Sequence, residues 1–288
     1  MNRPKLIILV GPPGAGKTSF AKKLLEDSYY GNNTIHLSSD KIREELYGNE
    51  AIQGDSSEVF SLMQSRAIEA LNNGQNVIYD STAMTRKDRA GIISVCPKFA
   101  KIECYVVWAP IEVCIERDAA RERSVGKEVI DRMLKRFQFP YYDEGFDNIW
   151  IHCSVENFDR EEYMDKIIEA TKIPHDNPHH TLDIFEHCCA AARYVAEKDS
   201  YGPLWLAAAF HDIGKPYVKA FVDSKGNPCE HAHYYQHQCL SVWEFCGISG
   251  VMSESEHVYA AWLISTHMDP FLNTKYYHNL PVYLKKTN

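Results

Sequence analysis

The sequence predicts an α/β domain built on a parallel sheet, followed by an all-α domain. Up to residue 172, short apolar runs alternate with longer stretches of helical periodicity, which is typical of a parallel α/β sheet. Beyond that residue, helical periodicity continues without a convincing strand pattern. The histidines divide in the same way, two in residues 1–172 and eleven in residues 173–288. Because Pro174 and Pro178 interrupt any helix at this boundary, we predict two domains, over 1–172 and 173–288.

The first domain contains five apolar runs of strand length, separated by stretches of helical spacing. The predicted strands are Lys5–Val10, Thr34–Leu37, Asn76–Tyr79, Ile102–Trp108 and Ile149–His152. A helix between the second and third strands is predicted from Val59, Met63, Ala67 and Ala70. In the second domain, helices are predicted from Phe185, Cys188, Cys189 and Ala192, and from Val258, Ala261, Trp262 and Ser265.

The loop after the first strand matches the phosphate-binding pattern G-x-x-x-x-G-K-[ST] and precedes a predicted helix. Its residues are Gly11, Pro12, Pro13, Gly14, Ala15, Gly16, Lys17 and Thr18. Gly14 and Gly16 allow successive backbone N–H groups to point at phosphates, and the helix N-terminus adds positive potential. Lys17 is expected to reach the β- and γ-phosphates, and the Thr18 hydroxyl to bind Mg²⁺. The loop therefore predicts ATP and Mg²⁺ as cofactors.

A carboxylate and an arginine follow the second predicted strand, in the segment Ser38-Ser39-Asp40-Lys41-Ile42-Arg43. The carboxyl ends of parallel strands form the edge where doubly wound folds bind ligands. Asp40 is there a candidate general base for an acceptor hydroxyl, and Arg43 a candidate contact to an anionic group of the acceptor. Alternatively, Asp40 only caps the following helix.

The third strand ends with a second candidate carboxylate, Asp80, followed by Thr82 and, on the next helix, by Arg86. An aspartate in this position holds Mg²⁺ through water or binds the acceptor. We expect Asp80, Thr82 and Arg86 to contact the substrate, although an arginine on a helix is more often a solvated surface charge.

After the fourth strand, Arg117 and Arg121 are four residues apart and are expected to share one helix face. Two such arginines can close over the triphosphate as a lid and stabilise charge during phosphoryl transfer, with Arg121 as a catalytic candidate. The same spacing is also typical of a helix surface rich in ion pairs, here with Glu112, Glu116 and Glu122.

The ordered motifs Gly11–Thr18, Asp40-x-x-Arg43 and Arg117-x-x-x-Arg121, followed by Val129–Met133, resemble those of the phage-type 5′-hydroxyl polynucleotide kinases over roughly residues 5–140. The resemblance implies a P-loop kinase domain in which Asp40 is the general base. It also implies that Arg43 contacts the 3′ phosphate of the acceptor, and that Arg117 and Arg121 belong to the ATP lid.

The second domain contains an adjacent histidine and aspartate at a predicted helix end, one histidine on the helix before them and two histidines later in the chain. They are His187, His211, Asp212, His237 and His267. Imidazoles and a carboxylate that converge in a helical core can hold a divalent metal, which activates water against a phosphoester. We therefore predict a metal site, with Mn, Ni, Co or Zn as the candidate transition metals.

This pattern, with Asn177-Pro-His-His-Thr-Leu-Asp183 before it and Gly214-Lys-Pro216 after the His-Asp doublet, resembles the HD phosphohydrolase superfamily. The resemblance implies that the five residues are metal ligands and that Lys215 contacts phosphate. His180 is an alternative to His187. The last aspartate of the family pattern is expected on a further helix, and Asp269 is a poor substitute. The resemblance therefore implies either a domain shortened at its C-terminus, with weakened metal binding, or a truncated chain.

Composition is that of a soluble globular protein, with 45% hydrophobic and 24% charged residues. The net charge of −8 excludes a generally basic nucleic-acid coat. Nine cysteines without a C-x-x-C pair favour a reducing compartment. No secretory leader is recognised, and the longest aliphatic run, Leu6–Val10, is far below the roughly 20 residues that cross a bilayer. We expect a cytoplasmic protein without a membrane partner.

Together these features predict an RNA or DNA end-healing enzyme. The kinase would phosphorylate a 5′-hydroxyl end, and the HD domain would remove a 2′ or 3′ phosphate or open a 2′,3′-cyclic one, so that a ligase partner could seal the strand. A small-molecule kinase of nucleosides or sugars, and an ATP-dependent switch with a non-catalytic HD module, stay open as alternatives. No oligomeric state is predicted.

Overall fold

The computed structural model describes residues 3–27, 30, 33–178, 180–198, 202–248 and 252–269. The strands are β1 Lys5–Val10, β2 Thr34–Ser38, β3 Asn76–Asp80, β4 Lys101–Trp108, β5 Asn148–Cys153, β6 Ala220–Val222 and β7 Pro228–His233. The helices are α1 Lys17–Glu26, α2 Ser39–Tyr47, α3 Ser56–Asn72, α4 Arg86–Val95, α5 Ile111–Ala119, α6 Lys127–Leu134, α7 Arg160–Thr171, α8 Ile184–Lys198, α9 Pro203–Phe210, α10 Lys215–Val218, α11 His237–Cys246 and α12 Glu254–Thr266. Within these described ranges, no helix has the length and apolar character that crossing a membrane requires.

The chain divides into two compact units. One comprises Met1–Tyr163 with Cys246–Glu254, and the other comprises Met164–Phe245 with Ser255–Asn288. The chain first passes from one unit to the other between Tyr163 and Met164, inside α7. The predicted boundary at residue 172 lies further along the chain, just after the end of this helix.

The first unit contains a five-stranded sheet in the order β2-β3-β1-β4-β5, and every pairing in it is parallel. The predicted parallel α/β fold is confirmed here. Strand β1 has the predicted bounds, and the other four extend by one or two residues. In the register, Asp80 of β3 lies opposite Ser38 of β2 and Leu9 of β1. The carboxyl ends of these three strands thus meet at one edge of the sheet.

The core of the first unit lies on both faces of β1. Residues 6–10 are all fully buried, as expected for a central parallel strand covered by helices on each side. On one face, α1 packs its apolar residues on the sheet. This cluster consists of Ile7, Leu9, Phe20, Ala21, Leu24, Ile78 and Val107. The packing fixes the start of α1, and with it the phosphate-binding loop, against the end of β1.

The second unit is not all-helical as predicted, because β6 and β7 form a two-stranded antiparallel hairpin. The turn is built by Asp223, whose carboxylate accepts hydrogen bonds from the backbone N–H groups of Lys225 and Asn227 at 2.8 and 2.9 Å. Gly226 supplies the left-handed backbone at φ +85°. Both strands are short and largely exposed, so they lack the apolar alternation by which strands are predicted.

Candidate functional site

The phosphate-binding loop lies between β1 and α1 and depends on its glycines. Gly14 and Gly16 have φ values of +78° and +91°, in the left-handed region. A Cβ atom at Gly14 would lie 2.0 Å from the carbonyl oxygen of Cys114. A Cβ atom at Gly16 would lie 2.9 Å from the Ser154 side chain. The loop therefore forms a narrow, backbone-lined cradle that only glycine permits at these two positions.

Lys17 projects its ammonium group back over this loop. Its Nζ donates hydrogen bonds to the carbonyl oxygens of Gly11 and Pro12, both at 2.9 Å. Desolvation lowers the pKa of Lys17 below its usual value; the charge of Asp80 opposes this effect and that of Arg121 adds to it. A cation held among backbone groups in a glycine-lined cradle fits a phosphate ligand.

Thr18 and Asp80 form the oxygen set expected for Mg²⁺. The Thr18 hydroxyl donates to Oδ2 of Asp80 at 2.9 Å, and His36 Nε2 lies 3.1 Å from the same oxygen. Burial acts to raise the pKa of Asp80, but the hydrogen bonds from His36 and Thr18 and the charge of Lys17 hold it below its usual value. A hydroxyl beside an ionised carboxylate fits the few protein ligands that Mg²⁺ takes in nucleotide sites.

These groups open onto a cleft of about 490 Å³ in the first unit. Its polar lining includes most of the predicted kinase residues, namely Lys17, Thr18, Asp40, Arg43, Asp80, Thr82 and Arg121. The structure thus brings together side chains from the ends of β1, β2 and β3 with one arginine from the segment after α5. Arg123, which no motif singled out, also lines the cleft.

Asp40 is the second residue of α2, and Ser38 rather than Asp40 occupies the cap position. The Asp40 carboxylate is half exposed and pairs with two arginines through its Oδ1. The distances are 3.0 Å to Arg43 Nη1 and 3.7 Å to Arg123 Nη1. Arg43 is itself largely buried, and its Nε is without a hydrogen-bond partner among the described residues. The cleft therefore presents one carboxylate between two cations.

Arg117 and Arg121 are not on one helix face as predicted. Helix α5 ends at Ala119, so Arg121 lies in the turn that follows, because its backbone N–H bonds the carbonyl of Asp118 at 3.1 Å. Arg117 donates to the Oγ and the carbonyl oxygen of Ser154 at 2.8 and 3.2 Å. Both arginines line a second hollow beside Gly14 and Gly16, and Arg121 reaches both pockets.

Arg86 is the predicted contact that the structure does not bring to the cleft. Its guanidinium pairs with Asp143, and its Nε lies 3.8 Å from Glu144 Oε1. Arg89 binds the buried carboxylate of Glu144 at 2.7 and 2.8 Å. Arg86 therefore lies away from the lining of the cleft, because the start of α4 faces the acidic turn 142–144, where a buried carboxylate is compensated by cations. Its contact with the substrate stays a prediction.

In the second unit, Asp212 is shared by two groups of histidines. Its Oδ2 lies 3.3 Å from His187 Nε2 and 3.2 Å from His211 Nε2. Its Oδ1 lies 3.1 Å from His237 Nε2 and 3.9 Å from His267 Nε2. In each group the ligand atoms all lie within 4.8 Å of one another. The four predicted histidine ligands thus lie around the buried carboxylate of Asp212, which is the fifth.

The imidazoles of this cluster are oriented by their other nitrogen. The Nδ1 atoms of His211, His237 and His267 lie 2.7–2.9 Å from main-chain carbonyl oxygens, so they carry the proton and Nε2 is free to bind a metal. Burial lowers the pKa of His267 to about 4, and the charge of His237 adds to this effect. Imidazoles whose Nε2 atoms face a shared carboxylate fit a transition metal such as Mn, Ni, Co or Zn.

Lys215 is turned toward this cluster. Its Nζ lies 2.7 Å from Asp212 Oδ2 and 3.2 Å from His175 Nε2. His175 is 1% exposed and stacks on His180 at 4.1 Å. His187, not its predicted alternative His180, belongs to one of the two histidine groups, and Asp269 belongs to neither.

Sequence reasoning missed His36 and His175, and both are held by distant partners. His36 meets Asp80 across 44 residues, and His175 meets Lys215 across 40. For His36, the sequence does carry a signal, because a polar histidine stands within a predicted strand. For His175, the adjacent Pro174 suggested a linker instead.

Residues 6–140 match the family model described as an AAA domain, AAA_33, a span of just under half the chain. No curated protein matches the sequence. Solved structures with similar folds include two of the Pnkp1/Rnl/Hen1 complex, described in one case as an RNA repair complex. The first has 27% identity, covers 41% of this chain and 40% of the other, and has a TM-score of 0.35. The second has 22% identity, covers 47% and 44%, and has a TM-score of 0.43.

A gluconokinase from Sinorhizobium meliloti is also similar, with 15% identity, 54% and 86% coverage and a TM-score of 0.37. The coverages given above mean that this chain matches less than half the length of each of the two repair-complex chains. At these scores the neighbours do not define a substrate. The family match and the geometry together identify a kinase-like P-loop domain with a parallel five-stranded sheet.

Proposed function

We propose that the P-loop domain is an ATP- and Mg²⁺-dependent kinase that phosphorylates the 5′-hydroxyl end of a polynucleotide. The observation that carries this proposal is the position of Asp40. Its carboxylate lines the same cleft as Lys17, Thr18 and Asp80, where a hydroxyl acceptor could meet the nucleotide. The motifs Asp40-x-x-Arg43 and Arg117-x-x-x-Arg121, which resemble those of polynucleotide 5′-hydroxyl kinases, support the acceptor class.

In the proposed reaction, the oxygen of the 5′-hydroxyl bonds to the γ-phosphorus while Asp40 accepts the proton of that hydroxyl. The bond between that phosphorus and the β–γ bridging oxygen breaks, and ADP leaves. Lys17 and Arg121 hold the phosphates and stabilise the charge that develops on them. Thr18 and Asp80 would hold Mg²⁺, which supplies further charge neutralisation when bound. Arg43 would hold the 3′ phosphate of the acceptor nucleotide.

The test is an acceptor competition with γ-labelled ATP, using a 5′-OH oligonucleotide against nucleosides and sugars. We expect label on the 5′ end of the oligonucleotide. Label on small acceptors alone would instead support a small-molecule kinase, and no transfer together with retained ATP binding would support a switch.

Asp40→Asn is the decisive variant for this reaction. It removes the proton acceptor while preserving size, so we expect transfer to fall about 10²- to 10⁴-fold with ATP affinity retained. Asp165→Asn, at an exposed position on α7, is the matched control. Full activity in Asp40→Asn would contradict the assignment.

For the second unit, the sharing of Asp212 by two histidine groups supports a metal-dependent phosphohydrolase. The residues would hold one or two metal ions and orient a phosphoester, with Lys215 as the proposed phosphate contact. A bound metal supplies an activated water at neutral pH. Removal of a 2′ or 3′ phosphate, or opening of a 2′,3′-cyclic one, would complement the kinase and yield ends that a ligase can join. RNA and DNA are both compatible with these sites.

A further inference from the structure

His36 lies on β2 beside the proposed Mg²⁺ site. Its side chain and that of Asp80 are 8% and 5% exposed, and His36 Nε2 lies 3.1 Å from Oδ2 of Asp80. In the strand register His36 lies opposite Ile78, so its imidazole extends two residues toward the edge of the sheet to reach Asp80. No motif includes this histidine.

The chemistry of the contact fixes the direction of the hydrogen bond. Carboxylate oxygens accept hydrogen bonds, so in the 3.1 Å contact His36 donates from Nε2 to Oδ2 of Asp80. Thr18 donates to the same Oδ2 at 2.9 Å. If the Thr18 hydroxyl binds Mg²⁺, its contact with Asp80 changes, whereas the His36 contact needs no rearrangement. His36 is then the group that keeps the carboxylate oriented.

We infer that His36 is a positioning residue that fixes Asp80 for binding of the Mg²⁺–nucleotide complex, an inference that rests on the proposed kinase function. Mutation of a group that hydrogen-bonds a metal-binding carboxylate commonly lowers metal affinity by about 10- to 100-fold. A purely structural role is the competing explanation, since His36 also joins β2 to β3.

The two explanations differ in their dependence on Mg²⁺. We compare His36→Leu, which removes the donor, with His36→Asn, which keeps an N–H donor on a shorter side chain. The measurements are the affinity of a fluorescent ATP analogue in EDTA, its increase during a Mg²⁺ titration, and the melting temperature.

For His36→Leu we expect the Mg²⁺ concentration at half-maximal enhancement to rise about tenfold, with affinity in EDTA unchanged. His36→Asn should recover part of this loss. Equal weakening of binding with and without Mg²⁺, or an unchanged Mg²⁺ midpoint, would overturn the inference. Should His36→Leu fail to fold, the same criteria apply to His36→Val, which also removes the donor.

A double-mutant comparison isolates the contact. His36→Leu should shift the Mg²⁺ midpoint in the wild-type background and leave it unchanged in the Asp80→Asn background. Equal shifts in both backgrounds would refute the positioning role. These binding measurements need no acceptor, so they are separate from the oligonucleotide assay. Wild-type protein that binds Mg²⁺–ATP without phosphorylating any 5′ end refutes only the proposed acceptor.

Discussion

At the scale of single residues, Gly14 connects sequence motif to geometry most directly. Its φ of +78° and the closeness of the Cys114 carbonyl mean that the cradle is shaped by the absence of a side chain. The motif predicted this glycine for its backbone freedom. The close approach of the loop to α5 was not predictable, because it depends on how the ends of β1 and β4 pack.

Gly14→Ala should therefore lower both stability and nucleotide affinity. Gly74 is a matched control, since its φ of +77° is nearly identical and an added Cβ there meets nothing within 4 Å. Gly74→Ala should cost only the left-handed backbone penalty of about 1–2 kcal/mol. Gly14→Ala adds a contact of 2.0 Å with a backbone oxygen, so its loss should be clearly larger. Urea unfolding and ATP-analogue binding measure both effects, and equal unfolding losses would show that the loop can shift.

Residue-scale prediction was most accurate where a motif constrains neighbours in the sequence. Lys17, Thr18, Asp40 and Asp80 line one cleft because each follows a strand whose position the sheet dictates. Arg86 follows a strand too, but it points to an acidic turn more than fifty residues later in the chain. Such long-range ion pairs leave no local pattern, and the same reason explains why His36 and His175 were missed.

At the scale of elements, the segment after α5 is organised by one buried carboxylate. Asp118 is 1% exposed, and its Oδ2 accepts hydrogen bonds from Ser124 Oγ and from the N–H groups of Val125 and Gly126 at 2.7–3.0 Å. These bonds close a turn, residues 119–126, that carries Arg121 and Arg123 to the cleft. The four-residue spacing of Arg117 and Arg121 predicted a shared helix face, because such a spacing does not reveal a side chain that binds the backbone of the following turn and ends the helix.

Asp118→Ala should release this turn and move both arginines. We expect faster tryptic cleavage after Arg121 and Arg123, and a loss of unfolding free energy of about 2–4 kcal/mol, since three donors lose a charged acceptor. Phosphoryl transfer should also fall, because the released turn no longer holds Arg121 and Arg123 at the cleft. Asp131→Ala on α6, which removes an exposed pair with Lys127, is the control. Unchanged cleavage in Asp118→Ala would mean that other contacts hold the turn.

At the scale of the whole molecule, two compact units each carry one candidate site, with different ligand chemistry. Parallel strands and the loop motif made the first unit predictable in detail. The second was predicted through its five metal-binding candidates, while its hairpin escaped because a turn and two exposed strands carry little apolar pattern. Chemistry-bearing residues thus predicted which side chains come together in the second unit better than hydrophobic spacing predicted its fold.

The two sites should respond separately to their ligands. A transition metal (Mn, Ni, Co or Zn) at about 100 times its dissociation constant should stabilise the protein by about 2.7 kcal/mol through the histidine cluster. Asp212→Ala should abolish that shift and any phosphomonoesterase activity while retaining stabilisation by Mg²⁺–ATP. Lys17→Met should show the reverse pattern, and His231→Ala, at an exposed site on β7, should change neither. Calorimetry, elemental analysis of bound metal and a phosphomonoester assay measure these outcomes. Because Asp212 contributes an oxygen to both histidine groups, metal content or phosphatase activity that survives Asp212→Ala would contradict a shared-carboxylate centre.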